Sequence, residues 1–384
     1  MASVLLKGIT WGHSRGITPL LAVSQRYHEL HPDVQISWDT RTLQQFAGYP
    51  IEELAKSYDL LIIDHPWVGM AAITGCVLAL DKYLDADYLQ NQQLYSIGHS
   101  HESYHYQGHQ WALAIDAATP VASYRPDLLP QPPHSWHELM ELAARGRVAV
   151  PAIPIDLLMN FYTFCIAAGE EPFSKEEEVV GNEVGMQAIE TMRQLYSQIH
   201  PQLFQCNPIA VAELMSSTNN YWYCPFAYGY SNYARLGYAR NLLQYTDVVR
   251  FNSKPLCTTL GGTGLSVSAN SRYKQQAADF AAFAVSERCQ TTLYVQHGGQ
   301  PGHGAAYTDA LANTLTHNYF RQVLPALQRS YMRPRYAGYL YFQDHAGLPL
   351  QQYLLNGGNA AWVLQKMNEL YLKSRKASFN KQLA

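Results

Sequence analysis

Two stretches decide the fold of this chain: Gly264-Leu265-Ser266-Val267-Ser268, and Tyr294-Val295-Gln296-His297-Gly298-Gly299-Gln300-Pro301-Gly302. The first stretch predicts a β-strand, and the Ala- and Phe-rich segment between the two predicts a helix that packs on a sheet. The Gly and Pro residues of the second stretch predict a turn that brings the chain back to a cleft. This order of strand, helix and turn indicates a two-lobed fold.

Length and composition agree with two folded lobes. The chain has 384 residues, more than the roughly 250 to 300 at which a single core usually stops growing. Apolar residues make up 47% and charged residues 15%, so large cores are available and no part is disordered by composition. A net charge of -3 gives no basic patch for nucleic acid. No apolar run is long enough for direct membrane insertion.

The first part of the chain alternates strands and helices. Because its strands are strongly apolar, we expect an open α/β layer with a parallel sheet covered on both faces. Ligands of such sheets bind beyond the carboxyl ends of the strands, which singles out the loops at residues 11–16 and 64–67. The predicted elements are strand Val4–Thr10, helix Pro19–Leu30 with Pro19 in its first turn, strand Val34–Trp38, helix Ile51–Ser57 and strand Asp59–Asp64.

Two extended segments, Gln110–Asp116 and Val121–Leu129, are predicted to cross between the lobes. Ser135 with Glu138 three residues later predicts a capped helix that runs to Ala144. Further elements of the second lobe are predicted at Val148–Pro151, Leu157–Ala168, Gly185–Ile199 and Tyr221–Pro225. We therefore predict an N-terminal lobe of residues 1–115 plus 257–310, a C-terminal lobe of residues 130–256 plus 311–384, and hinge crossings near 116–129 and 256–266.

The chain resembles the family 1 extracellular solute-binding proteins, the carbohydrate-type receptors of ABC transporters. The resemblance covers roughly the first 305 residues and implies an α/β fold: a two-lobed, periplasmic-binding-protein-like (type II) clamshell with mixed β-sheets and crossing hinge segments. The segments that carry it, in family order, are Leu78–Leu84, Tyr106–Leu113, Tyr124–Leu129, Pro133–Leu139 and Gly264–Pro301.

This resemblance implies a monomeric substrate-binding protein that captures a small polar solute, a sugar or a small organic acid, between its lobes. The expected partners are the small-molecule ligand and an ABC permease, and catalysis is not expected. An alternative is a cytoplasmic ligand sensor or enzyme of the same fold, with His13, Asp64 and His65 in acid/base roles.

Localisation depends on the start of the chain. Met1–Thr10 shows no basic region, apolar core or cleavage site of a secretion signal. We expect a periplasmic or cell-surface protein if a leader has been removed, and a cytoplasmic one if Met1 is the natural start.

The loop after the first strand supplies four candidate ligand contacts: Trp11, His13, Ser14 and Arg15. It lies where a strand ends and a helix begins, so its backbone N–H groups favour an anionic or strongly accepting group. The planar fork of Arg15 suits a carboxylate. In the alternative interpretation, Ser14 caps the helix and Arg15 faces solvent.

Asp64 and His65 follow the most apolar strand and form a second candidate pair, as a pH-sensitive contact or general base. Alternatively, Asp64 caps the next turn and His65 stacks on Trp67. Asp116, in the first crossing segment, is expected either to accept a hydrogen bond from a ligand hydroxyl or to tie the hinge.

The remaining candidate ligand contacts lie later in the chain. Tyr228 and Tyr230 flank a glycine in a predicted loop, where aromatic faces can stack on a ligand. Gly262 and Thr263 are interpreted as part of a flexible crossing segment whose backbone approaches the ligand or the other lobe. Gln300 is placed near the cleft by the Gly/Pro turn.

No cofactor, metal or catalytic residue is predicted. The Gly-rich segment 261–264 lacks the Lys-Ser/Thr of a phosphate-binding loop. The six cysteines form no Cys-x-x-Cys pair. A cluster of histidines in one polar stretch is interpreted as surface rather than as a metal site; its members are His99, His101, His105 and His109.

Overall fold

The structure, a computed structural model, describes residues 3–382, with the side chains of all of these except 44, 47 and 377–382. The strands are Val4–Trp11 (β1), Val34–Arg41 (β2), Leu60–Ile63 (β3), His105–Tyr106 (β4), His109–Gln110 (β5), Leu113–Ala118 (β6), Pro120–Tyr124 (β7), Tyr223–Tyr228 (β8), Gln244–Thr246 (β9), Arg250–Phe251 (β10), Lys254–Pro255 (β11) and Gly261–Val267 (β12). The helices are Ser14–Leu30 (α1), Leu43–Gly48 (α2), Ile51–Leu54 (α3), Val68–Thr74 (α4), Ala86–Tyr95 (α5), Ser100–Ser103 (α6), Trp136–Ala144 (α7), Pro154–Ala168 (α8), Asn182–Tyr196 (α9), Pro208–Ser217 (α10), Lys274–Ala284 (α11), Glu287–Cys289 (α12), Ala305–Thr308 (α13), Ala310–Leu315 (α14), Tyr319–Gln328 (α15), Tyr339–Asn356 (α16) and Ala360–Gln382 (α17).

The chain forms two compact units, and neither is continuous in sequence. The first unit contains residues up to 118, residues 260–321 and residues 335–337. The second contains residues 119–259, 322–334 and the chain from 338 onward. No helix among residues 3–382 is long and apolar enough to cross a membrane.

A five-stranded mixed sheet with the order β2-β1-β3-β12-β6 organises the first unit. β1 pairs in parallel with β2 and β3, as the apolar strands predicted, whereas β12 is antiparallel to both β3 and β6. Helices α1 and α11 meet beside this sheet, where Tyr27 packs edge to face on Phe280 at 5.3 Å between ring centroids. The buried apolar side chains of β1, β3 and β12 share one core with these helices.

Helix α1 begins at Ser14, five residues earlier than the sequence predicted. Pro19 therefore lies inside the helix and not in its first turn, and that prediction was wrong. The reason is that His13 caps the helix, because its ring nitrogen accepts a hydrogen bond from the Arg15 backbone N–H at 3.0 Å. The earlier start places the loop after β1 directly on a helix terminus.

Strand β12 is an interior strand of the first unit, and residues 261–264 belong to it. Gly262 has a φ of 99°, and a Cβ there would meet the Asp116 carbonyl oxygen at 2.3 Å. A glycine is therefore required where β12 passes β6. Residues 261–264 were predicted as a flexible crossing segment, but their backbone is held in the sheet.

The second unit combines a small antiparallel sheet, of order β8-β7-β9, with a group of long helices. The capping box predicted for α7 is present: the Ser135 hydroxyl accepts from the Glu138 N–H, and the Glu138 carboxylate accepts from the Ser135 N–H. Residues 148–151 were predicted as a strand. Among the described residues they contribute only an isolated bridge between Val148 and Tyr223, so this prediction was wrong.

Candidate ligand-binding site

Most of the predicted site residues lie along one edge of the five-stranded sheet. β1 and β3 are parallel, so the loops after Trp11 and Ile63 leave from the same edge. β12 runs the other way, and its Thr263 lies opposite Asp116 of β6 near that edge. Strand topology therefore brings together residues that are far apart in sequence, as expected for a site at the carboxyl ends of parallel strands.

Trp11 forms the floor of the loop after β1. Its ring is 4% exposed and lies 5.3 Å from the Phe46 ring. A Cβ at Gly16 would meet the Trp11 ring at 2.5 Å, so the glycine allows the first turn of α1 to lie on the indole. The buried indole Nε1 has no hydrogen-bond partner among the described residues.

His13 and Ser14 occupy the start of α1. Burial lowers the pKa of His13 to about 4, and the neighbouring Arg15 contributes in the same direction. The imidazole is therefore neutral at pH 7, with one ring nitrogen already accepting from the Arg15 N–H. Ser14, the first helical residue, is half-buried, and His13 rather than Ser14 is the N-cap.

Arg15 and Asp116 form a buried, two-pronged ion pair. The Arg15 Nε donates to Asp116 Oδ2 at 2.9 Å, and Nη2 donates to Oδ1. The two side chains are only 5% and 0% exposed. Burial raises the pKa of Asp116, while the guanidinium opposes that shift. The guanidinium fork that the sequence assigned to a ligand carboxylate is thus occupied by a carboxylate of the protein itself.

Asp64 and His65 form the turn after β3. Asp64 Oδ1 accepts from the His65 N–H at 2.9 Å, which caps the 3₁₀ turn His65–Trp67. The His65 ring is fully buried, with Nδ1 3.4 Å from Asp64 Oδ1, and packs edge to face on Tyr104. Asp64 caps this turn, as one interpretation of the sequence proposed, and the His65 ring contacts Tyr104.

Three further side chains at this edge are buried. Gln300 donates to the Ala117 carbonyl oxygen at 3.3 Å and so ties the end of β6. The Trp67 indole Nε1 and the Thr263 hydroxyl find no hydrogen-bond partner in the described part of the chain. Buried polar atoms are usually paired with protein, water or ligand, so these two mark the edge as a polar surface.

Tyr228 and Tyr230 belong to the second unit. Their surroundings differ from the loop that the sequence predicted. Tyr228 is the last residue of β8 and not a loop residue, and its hydroxyl lies 2.9 Å from the Thr259 hydroxyl. Tyr230 is 4% exposed, and its carbonyl oxygen accepts from the Tyr245 hydroxyl at 3.0 Å.

Sequence reasoning missed Arg41, at the end of β2. Its guanidinium is 8% exposed and donates to the Ile62 carbonyl at 3.0 Å and to the Gln45 carbonyl at 3.2 Å. Burial lowers the pKa of Arg41 to about 10. Its position at a strand end was the available signal, but the predicted strand stopped at Trp38.

The charges at this edge balance. Two arginines, Arg15 and Arg41, and two aspartates, Asp116 and Asp64, lie at this edge, and His13 is neutral at pH 7. Such an edge can donate and accept hydrogen bonds without a strong preference for an anion or a cation. Within residues 3–382, no group of three His, Cys, Asp or Glu side chains is arranged to hold a metal ion.

Comparison with known proteins defines the class. The model of the bacterial extracellular solute-binding protein family matches residues 27–314, most of the chain. The chain therefore belongs to the bacterial extracellular solute-binding proteins, the class that works with ABC transporters, and the resemblance found in the sequence is confirmed.

Individual relatives are distant. The maltotriose-binding protein of Pyrococcus abyssi is 27% identical over 121 residues, which are 32% of this chain and 26% of that protein. The match thus spans about a quarter of the curated relative's length.

Solved structures agree over nearly the whole chain. The maltose-bound MalE3 of T. maritima has a TM-score of 0.82 at 16% identity, covering 98% of this chain and 100% of that one. The GacH receptor of Streptomyces glaucescens GLA.O, solved unliganded and with acarbose, has a TM-score of 0.80 at 17% identity, covering 98% and 99%. These likenesses confirm the predicted α/β, two-lobed, periplasmic-binding-protein-like fold with mixed sheets.

Proposed function

We propose that this protein binds a neutral carbohydrate or polyol, with the strand-end edge of its first unit as part of the site, and delivers it to an ABC-type importer. The sequence left sugar and small organic acid open. The observation that favours the neutral ligand is the buried Arg15–Asp116 pair.

The ion pair argues against an acidic ligand for an energetic reason. A ligand carboxylate would have to compete with Asp116, which already takes two hydrogen bonds from Arg15. Separating the pair would leave a buried carboxylate uncompensated, which costs several kcal/mol, about 3 to 5. A neutral hydroxyl-rich ligand needs no such exchange.

The other side chains at the edge also suit a carbohydrate. Trp11 and Trp67 combine apolar faces with indole N–H groups, and Thr263 adds a hydroxyl. Aromatic faces with polar tips are the usual partners of sugar rings in binding sites. The sugars and sugar-like compounds named in the solved relatives, maltose and acarbose, have this chemistry.

A ligand panel tests the proposal. We expect maltose, maltotriose or a pentitol to raise the melting temperature, because a ligand that binds only the folded protein stabilises it. Dicarboxylates and aromatic acids should give no rise at matched concentration. A rise with the acids alone would overturn the neutral-ligand assignment.

A variant at the strand-end edge tests whether a ligand that stabilises the protein binds there. Trp67→Phe removes the indole N–H but keeps a buried ring, and should weaken the affinity measured by calorimetry about fivefold, the value of one hydrogen bond. Trp362→Phe, at a 49% exposed tryptophan of α17, is the matched control and should leave affinity unchanged. Equal affinities of both variants and the parent would remove Trp67 from the site.

Transport and an extracellular or periplasmic location are part of the proposal because they are properties of the family. The alternative of an enzyme or sensor with His13, Asp64 and His65 in acid/base roles is not favoured: His13 is a weak base at pH 7 and caps α1, and Asp64 caps a turn. Mass analysis of the bound ligand after incubation decides between capture, which returns it unchanged, and turnover.

A further inference from the structure

A cavity lies in the first unit, away from the strand-end edge. It has a volume of about 230 Å³ and is bounded by Leu5 of β1, by the segment Ala55–Asp59 before β3 and by the segment Asn270–Tyr273 before α11. Leu5 and Trp11 are six residues apart in one strand, which places the cavity about 20 Å from the strand-end edge. The two regions therefore cannot share one small ligand.

The cavity presents hydrogen-bond donors that lack acceptors in the protein. Arg272 is exposed, and its guanidinium has no hydrogen-bond or ion-pair partner among the described residues. The Ser57 hydroxyl is likewise without a partner in the part of the chain that the structure describes. Lys56 adds an ammonium group, which pairs with Glu53 at 2.7 Å while remaining 61% exposed.

The carboxylate in the lining is already satisfied. Asp59 Oδ1 accepts from the Ser271 hydroxyl at 2.6 Å, and Oδ2 accepts from the Lys7 N–H at 2.9 Å. The lining therefore carries two cations against one carboxylate that is held by two protein donors.

From these contacts we propose that the cavity is a binding site for a small free oxyanion, with phosphate as its simplest form. Arg272 would supply the planar fork that suits phosphate and carboxylate oxygens, and Lys56 and Ser57 would supply a point charge and a hydroxyl donor. Because the site is exposed, its affinity falls as salt screens the charges. This inference is independent of the proposed carbohydrate site.

Phosphate titration followed by ³¹P NMR, at low ionic strength, tests the proposal. Arg272→Gln keeps a polar side chain of similar length and should weaken phosphate binding about fivefold, as expected for one exposed charged contact. Arg288→Gln, at an exposed arginine of α12, is the matched control and should bind like the parent. No phosphate binding, or equal affinities of the two variants, would overturn the site.

Two further measurements, of vesicle binding and of carbohydrate affinity, complete the test. Vesicles of phosphatidylglycerol distinguish a free anion from a lipid headgroup, and vesicle binding in the absence of phosphate binding would overturn the free-anion assignment. Carbohydrate affinity of Arg272→Gln should equal that of the parent. A retained phosphate site in a protein that binds no sugar would leave this inference standing while the proposed function fails.

Discussion

At the residue scale, the Arg15–Asp116 pair controls the chemistry of the strand-end edge. Both partners are almost fully buried, and they lie 101 positions apart in the chain. A buried pair of this kind contributes little net stability compared with apolar residues of similar size, but either charge alone is strongly unfavourable. Its role is therefore to hold the edge electrically neutral and geometrically fixed.

Removing one partner should therefore destabilise the protein much more than replacing both partners with apolar residues. Asp116→Ala leaves the Arg15 guanidinium buried without its carboxylate, and we expect a loss of about 3 to 5 kcal/mol in the free energy of unfolding. The double variant Arg15→Met, Asp116→Leu should lose much less, because no charge is left buried. Urea denaturation of the three proteins provides the comparison, and equal losses for the single and double variants would contradict it.

A second residue-scale prediction concerns pH. The folded pKa of His13 is about 4 against an ordinary 6.5, so protons bind the unfolded chain more tightly. The contribution of His13 to stability is complete above pH 6.5 and is lost as the pH falls toward 4. His13→Asn keeps a good helix cap and should reduce the drop in unfolding free energy between pH 7 and pH 5 by about 2 kcal/mol.

Urea midpoints at the two pH values measure that drop. His137→Asn, at a histidine side chain that is 85% exposed, serves as the control. If the parent and His13→Asn lose the same stability on acidification, the buried neutral state of His13 is wrong.

The sequence could predict these residues only one at a time. Arg15 and Asp116 were both named as candidates. Their pairing depends on the position of β6 in the assembled sheet, and no local sequence pattern encodes that position. Arg41 was missed because Asp39 and Thr40 ended the predicted strand, although the pairing with β1 continues to Arg41.

At the element scale, β12 is the strand on which the sheet depends. Its apolar stretch was sufficient to predict a strand, and the Ala- and Phe-rich segment after it was correctly predicted to be a helix, α11. Its neighbours were not predictable, since insertion between β3 and β6 is a property of the assembled sheet. Likewise, the Ser135 and Glu138 capping box is local and was predicted correctly.

Gly262→Ala tests the close approach of β12 and β6. The new Cβ would meet the Asp116 carbonyl at 2.3 Å in a backbone with positive φ, so we expect a loss of more than about 2 kcal/mol. Gly75→Ala is the matched control, because Gly75 also has positive φ but no atom within 4 Å of the added methyl. Its loss should be about 1 kcal/mol. Equal urea midpoints of the two variants would argue against a steric constraint at Gly262.

At the scale of the whole molecule, two discontinuous units share one chain. The sequence predicted two lobes from length and from the order of motifs. No pattern in the sequence predicted that the three residues Arg335–Ala337 belong to the first unit. It depends on long-range contacts: Arg335 donates to the His105 carbonyl at 2.7 Å, and its own carbonyl lies against Gly69.

The discontinuity predicts how fragments behave. A fragment of residues 3–118 lacks β12, so β3 and β6 lose the strand that joins them, and we expect no cooperative unfolding transition by circular dichroism. Joining residues 3–118 to residues 260–321 through a Gly/Ser linker restores β12 and should restore a cooperative transition. A fragment of residues 3–118 that unfolds as cooperatively as the joined protein would contradict this dependence.

Because β12 comes late in the chain, the sheet of the first unit cannot be completed until residues 119–259 of the second unit have been synthesised. About 140 residues of the second unit are made between β6 and β12, which takes roughly 7 to 28 s at typical elongation rates of about 5 to 20 residues per second. Throughout that interval the nascent first unit has β3 and β6 edges open for pairing with other chains. Those unpaired edges, which the finished sheet no longer presents, are therefore the part of the nascent first unit that is most exposed to aggregation.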